Sequence, residues 1–377
     1  MSAAPVPRPT ASEQTTPPAA GPAVRLASLD AFRGFTMFWI VQGKSIVEGL
    51  RALGNNPVLA GITYELDHSA WQGLRYYDCI WPSFMLMVGV SVPFAIAKRS
   101  ETQSDRTMFL HALRRAIILF LLGSLRESVS LGSPFLIELS SALQPIAVAY
   151  LAAFLLARQR PWIQGLVCGG LLVGYGLLLT LVPPLSVAPN HYVLNANLVT
   201  DLDARWLGRA HPEGWGTVIC TIPTISTTLL GLMLGGLLRS ARSARTKLKI
   251  LAATGAAGLA LGYSLALLVP VVMKMWTVSY GVLTASWACL MLALFYWLID
   301  VRGLRKWSFP FIVIGVNALA VYLTETVTRL HQIVGIFTKA ASGTLGAFEP
   351  LATAALVFAV EWLILYRLYK RRIFLNP

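Results

Sequence analysis

The sequence predicts an all-α, polytopic integral membrane protein with about ten transmembrane helices and both termini in the cytoplasm. Of its 377 residues 56% are apolar and only 13% charged, and the mean hydropathy is +0.63, far from the usual composition of soluble domains. Apolar runs of roughly 18 to 23 residues recur along the chain, each long enough to cross a bilayer as a helix. Lys and Arg punctuate those runs and do not gather in one stripe, so the net charge of +14 does not mark a nucleic-acid partner.

Residues 1–24 are rich in Pro, Ala, Ser and Thr with hardly any charge, and read as a disordered cytoplasmic tail. They lack the basic start and apolar core of a secretory signal, so the first span is expected to direct insertion itself. Residues 25–377 read as one transmembrane domain. Spans are expected near 33–50, 76–97, 108–128, 138–157, 161–183, 218–239, 250–272, 278–299, 308–327 and 349–369, and the range extends to eleven. Arg126, Glu127 and Glu138 crowd the outer ends of the third and fourth.

With a cytoplasmic N-terminus, 22 of the 31 Lys and Arg residues fall inside, as the positive-inside rule requires. His68 then lies on the extracytoplasmic side, as does the longest loop, about 184–217, which is long enough for a lid or an acceptor-binding surface. Basic runs such as Arg239 to Lys249 serve topology and contact with anionic lipid, or else bind phosphates of a cytoplasmic ligand.

The four cysteines lie in or beside spans without CxxC spacing and read as apolar packing residues. Three glycine pairs, Gly170 and Gly174, Gly231 and Gly235, and Gly258 and Gly262, have the GxxxG spacing that lets helices approach closely. Asp201, Asp203 and His211 match no metal-site spacing and read as solvated loop residues, so no metal is expected.

Chemistry concentrates in Leu66 to Gly89, where a polar, aromatic-rich turn runs directly into an apolar helix. Imidazole titrates near neutral pH, so His68 is either a hydrogen-bonded interfacial residue or a group that moves protons or accepts an acyl group. Asp67 and Asp78 are the nearest carboxylates, and either can orient the ring. Asp78 stands just inside the membrane, where an unpaired carboxylate is costly. On the first span, Asp30 and Arg33 share a face, as do Lys44 and Glu48. Asn317 in the ninth span needs partners for its buried amide.

With these residues in view, the chain resembles the heparan-α-glucosaminide N-acetyltransferase family of multi-spanning membrane acyltransferases, bacterial members included. The likeness begins with RLASLDAFRGFTMFWIVQG at Arg25 to Gly43 and continues through HSAWQG at His68 to Gly73, Asp78, Pro82 and FMLMVGVS at Phe84 to Ser91. It resumes in HPEGWGTVICTIPTISTTLLGLMLG at His211 to Gly235, KMWTVSYGVLTA at Lys274 to Ala285 and IGVNALAVYLTE at Ile314 to Glu325. What the resemblance implies is transfer of an acetyl group from cytoplasmic acetyl-CoA to an amino sugar on the far side of the membrane.

The family's active-site histidine carries over onto His68, with Asp78 beside it. Arg33, Trp276, Tyr280 and Asn317 are the residues implied to hold acetyl-CoA or line its channel. Lys44 joins the catalytic set because an ungapped match puts it where the family has an asparagine, with Gln42 close by. The lysosomal member has a lumenal portion before its first span where this chain has a short tail, so the expectation is a bacterial inner-membrane protein. A homodimer is compatible with it. The rival reading is a carrier of a sugar or other small metabolite, since ten spans with intramembrane charges suit that too. Carriers often show internal repeats, and the two halves show no convincing similarity. A binding or assembly component is the third reading.

Overall fold

The computed structural model describes residues 26–132, 139, 142–185, 190–211, 213–328 and 330–374. The expected tail at 1–24, together with Arg25 and Glu138, lies outside them. Helices make up about three quarters of the described chain, and no strand occurs among these residues. In order they are α1 (Ala27–Ala52), α2 (Pro57–Glu65), α3 (Ile80–Ser100), α4 (Asp105–Leu131) and α5 (Leu143–Leu156). Then come α6 (Pro161–Leu181), α7 (Leu198–Leu207), α8 (Thr221–Arg239), α9 (Ala244–Ala266) and α10 (Val278–Phe295). The last five are α11 (Phe309–Val316), α12 (Ala318–Thr328), α13 (Leu330–Ala340), α14 (Ser342–Leu345) and α15 (Glu349–Lys370).

Among the described residues, seven helical stretches are long and apolar enough to cross a membrane, which makes this an all-α integral membrane protein. They correspond to seven of the ten expected spans. The other three are helical but atypical, each for a visible reason. Charged residues interrupt the apolar run of α1, α5 has only 14 residues, and the ninth span breaks at Asn317 into α11 and α12. Three short amphipathic or apolar helices, α2, α7 and α13, lie in segments read as loops.

Capping side chains set several helix starts. Asn56, Ser104, Asn197 and Ser243 each accept the backbone N–H three residues on, satisfying donors that a helix N-terminus leaves open. The start of α1 is capped from afar, because the Asp300 carboxylate accepts the amides of Ala27 and Ser28 at 3.2 and 3.1 Å. A carboxylate at a helix N-terminus also complements the dipole.

Glycines bring the central helices close. A Cβ on Gly231 or Gly235 of α8 would fall on the carbonyl oxygens of Leu86 and Val90 in α3, and one on Gly89 would fall on that of Thr228. Gly34 of α1 and Gly315 of α11 interlock in the same way through Phe311 and Asp30. Gly258 and Gly262 pack on Ser286 and Leu283 of α10, whereas Gly170 and Gly174 meet nothing. So two of the three expected spacings are contacts.

The two ends of the bundle differ. At one, Arg33 pairs with Asp30 at 3.5 Å and donates to the Gly315 carbonyl at 3.4 Å, and Asn317 donates to the Ile373 carbonyl at 3.2 Å. Both described chain ends lie there. At the other, Arg51 binds Asp67 at 2.6 Å. Arg33 and Arg51 are eighteen residues apart on α1, about 27 Å along its axis, close to the thickness of a bilayer core.

Candidate functional site

The Leu66–Gly89 stretch folds by hydrogen bonds to its own backbone. Asp78 Oδ2 accepts the Arg75 N–H at 3.0 Å, and Glu65 Oε2 accepts that of Tyr76 at 3.0 Å, which closes a 3-10 turn over Tyr76–Cys79. That turn feeds directly into α3. The loop is tied to the 269–277 segment by Gly73 N–H donating to Val271 O at 2.9 Å, and to the 184–217 loop by Trp71 Nε1–H donating to Tyr192 O at 2.8 Å.

His68 is held on three sides. Asp67 Oδ1 accepts its backbone N–H at 2.8 Å, the Arg75 guanidinium donates to its carbonyl at 2.8 Å, and Nδ1 meets Asp78 Oδ1 at 2.9 Å. The choice between the two neighbouring carboxylates is therefore made by the fold. Asp78 binds the ring, while Asp67 binds backbone and Arg51.

The Asp78 side chain is fully buried, whereas that of His68 is 38% exposed. The Asp78 carboxylate also lies 3.4 Å from the Ser69 N–H, so backbone donors meet its buried oxygens. With Nδ1–H donated to Asp78, the lone pair of the imidazole sits on Nε2, and Nε2 makes no hydrogen bond to a described residue. Burial pushes the Asp67 pKa up, but the Arg51 hydrogen bond and charge and the His68 amide outweigh it, so the carboxyl sits below its ordinary value.

His68 borders a cavity of about 560 Å³ between α1, α3, α4, α5, α8, α10 and α12, walled on one side by the 184–217 loop. That volume lies within the range of small-molecule sites. Tyr77 and Trp215 flank the imidazole at ring-centroid distances of 4.7 and 5.5 Å. Tyr77 has room because residue 43 is glycine; a Cβ there would strike its ring. Trp215 is steadied by its Nε1–H to Glu213 Oε2 at 3.1 Å, and the Lys274 ammonium sits 5.6 Å above its ring.

Trp276 and Tyr280 line the same cavity. Trp276 adopts φ +47, a left-handed conformation unfavourable for a bulky residue. It stands edge-on to Trp81 at 4.9 Å and to Tyr280 at 5.3 Å. The Tyr280 hydroxyl donates to the Asp78 carbonyl at 2.7 Å, so it holds the Asp78 turn. Arg126 and Glu127, which blurred the ends of two spans in the sequence, form a 2.9 Å ion pair on the cavity wall.

Of the residues singled out by sequence, His68, Asp78, Trp276 and Tyr280 converge, and Asp203 and His211 of the long loop border the same cavity, Asp203 being buried and not solvated. Lys44, Arg33 and Asn317 do not line the cavity. Lys44 is 86% exposed and 3.9 Å from Glu48, and Arg33 and Asn317 belong to the opposite end of the bundle. The loop trio is engaged in local bonds: Asp203 accepts the amides of Thr217 and Val218 at 2.8 and 3.1 Å, Asp201 that of Leu185 at 2.7 Å, and His211 that of Glu213 at 3.2 Å.

Sequence reasoning did not pick out Arg75, Tyr77 or Trp215 as parts of the site. The only available signal was the density of aromatics around His68, because Trp215 reaches the ring from 147 positions along the chain. Comparison with models of known protein families gives no match, and comparison with curated proteins gives none either.

Proposed function

We propose that this chain is a membrane-embedded acyltransferase that moves an acetyl group from acetyl-CoA, taken from the cytoplasmic side, to an amino sugar on the other side. The observation that carries the reading is the His68–Asp78 pair, 2.9 Å apart and half-open to an aromatic-walled cavity of about 560 Å³. An amine must be neutral to attack a thioester. His68 Nε2 would take its proton as the tetrahedral intermediate collapses, with buried Asp78 stabilising the imidazolium.

The cavity has room for a thioester end and a sugar ring, while the nucleotide of acetyl-CoA would stay outside it. Ile40 lines the cavity and is seven residues from Arg33, about 10 Å along α1. A pantetheine arm can bridge that gap with its phosphates near Arg33. The thioester brings the acetyl group, and its thiol leaves with a proton. Trp276 and Trp81 would pack the arm, and Trp215 offers an amino sugar an aromatic face. The motif likeness to the heparan-α-glucosaminide N-acetyltransferase family supports the same chemistry, and a bacterial inner membrane is the location it favours.

The carrier reading draws on the break at Asn317, since carriers build sites from interrupted helices. One assay separates the two. Protein purified in detergent is incubated with acetyl-CoA and a panel of amino sugars, with His68→Ala in parallel. Transfer that disappears in His68→Ala supports the enzyme. Full transfer by His68→Ala would overturn the catalytic role, and no binding of acetyl-CoA by the wild type would favour the carrier. Trapping an acetylated protein without acceptor would favour a relay through His68 over direct attack.

A further inference from the structure

Helix α3 starts at the His68 turn, so its last residues lie about 30 Å away along its axis, and α4 starts from that far end. Arg99 stands at the end of α3. Arg114 and Arg115 are nine and ten residues past Asp105 on α4, about 14 and 15 Å along its axis. Among the described residues none of the three arginines enters an ion pair or a side-chain hydrogen bond. Of the acids at this end, Asp105 is taken by Arg158, and Glu101 is exposed and pairs with none of the three.

Arg115 turns inward. Its guanidinium sits over the Tyr150 ring of α5 at 4.8 Å, and its buried Nε has no hydrogen-bond partner among the described residues. Tyr150, itself 3% exposed, lines a narrow cleft between α3, α4 and α5 together with Arg99, which puts Arg99 on the same seam. Arg114 turns outward. It shares one face of α4 with Leu110, Ile117 and Leu121, at steps of three and four residues, and these three are 52%, 50% and 60% exposed. On a membrane-spanning helix such a face meets acyl chains, where a guanidinium is costly unless an anion or water meets it.

We infer that this flank of α4 binds an anionic phospholipid, its phosphate drawn to Arg114 and Arg115 and its acyl chains laid along the Leu110, Ile117 and Leu121 face. The guanidinium fork matches phosphate oxygens, and a lipid is the phosphate source whose chains suit the apolar face beside it. Three positive charges exceed the charge of one phosphate, and an ammonium in the headgroup would be repelled. A headgroup with net negative charge is therefore selected over a zwitterionic one, as in other basic pockets between membrane helices. None of these residues borders the His68 cavity, so the lipid site stands apart from the reaction proposed there.

Native mass spectrometry of the full-length protein tests this, with phosphatidylglycerol and phosphatidylcholine of matched acyl chains as probes. The wild type should hold phosphatidylglycerol more tightly than phosphatidylcholine. Each arginine beside a headgroup is worth about fivefold, so the double variant Arg114→Gln, Arg115→Gln should weaken phosphatidylglycerol binding by about 25-fold and leave phosphatidylcholine binding little changed. Equal retention of the two lipids by the wild type, or an unaltered preference in the double variant, overturns the site. If the double variant does not fold, a photoactivatable phosphatidylglycerol decides on the wild type: cross-links within residues 99–121 support the site, and cross-links confined to other segments overturn it. Loss of that labelling on adding acetyl-CoA would give the arginines to the phosphates of a nucleotide and overturn the lipid.

Discussion

At the scale of single residues, the site turns on which carboxylate meets the imidazole. Asp78 does, at 2.9 Å, and the Arg75 and Ser69 amides fix its carboxyl in place, so in the proposed reaction it orients the ring. Asp78→Asn is expected to keep the fold and to lower kcat for acetyl transfer by about two to four orders of magnitude, with KM little changed, because an amide neither selects the required tautomer nor stabilises the imidazolium. Steady-state kinetics checks it; an unaltered kcat would remove Asp78 from the mechanism.

Asp67 has a different consequence. Its folded pKa is depressed, so its contribution to stability is complete above the ordinary carboxylate value near 4 and is lost as pH falls through the lowered folded value. The Arg51 pair is exposed on both sides, so the effect is under about 1 kcal/mol. Melting curves below about pH 4 should show an acid-induced loss in the wild type that is reduced in Asp67→Asn.

At the scale of elements, glycines decide which helices touch. A methyl on Gly231 would fall on the Leu86 carbonyl oxygen, part of the backbone, so Gly231→Ala must push α8 from α3 at a cost of about 1–3 kcal/mol. Gly170→Ala, with nothing near it, should leave the melting temperature in detergent unchanged or slightly raised. Equal melting shifts in the two variants would contradict the close packing. Gly43→Ala tests the site: displacing Tyr77 from His68 should lower transfer more than it lowers stability.

At the scale of the whole molecule, the two ends of the bundle face opposite sides of the membrane. The cavity's mouth and the Arg51–Asp67 pair share one end, and the 240–243 turn between α8 and α9 lies at the other. Cysteines introduced as Asn55→Cys and Ser243→Cys should react oppositely with an impermeant thiol reagent on intact cells, Asn55→Cys labelling from outside and Ser243→Cys only after permeabilisation. The opposite pattern would invert the topology and, with it, the direction of the proposed acetyl transfer.

Hydropathy and charge punctuation were enough to identify the membrane class and the positions of most spans, because every backbone group in lipid must be satisfied within a helix and each crossing needs a long apolar run. They also marked His68 and Asp78, since titratable groups at a membrane edge stand out against apolar sequence. Composition alone hides how each helix is rotated about its axis and what it meets across the bundle. That phase turned Lys44 outward onto Glu48, left Gly170 open while closing Gly231 on α3, and carried Trp215 to the imidazole. It also joined Gln42 to Glu361 over 319 positions. Glu361 stands alone as a charge among FAVEWLILY, a signal the sequence did carry, but only packing of α1 on α15 supplied its partner. The Leu66–Gly89 stretch is thus local chemistry legible in one dimension, set in a cavity whose other walls only tertiary packing brings together.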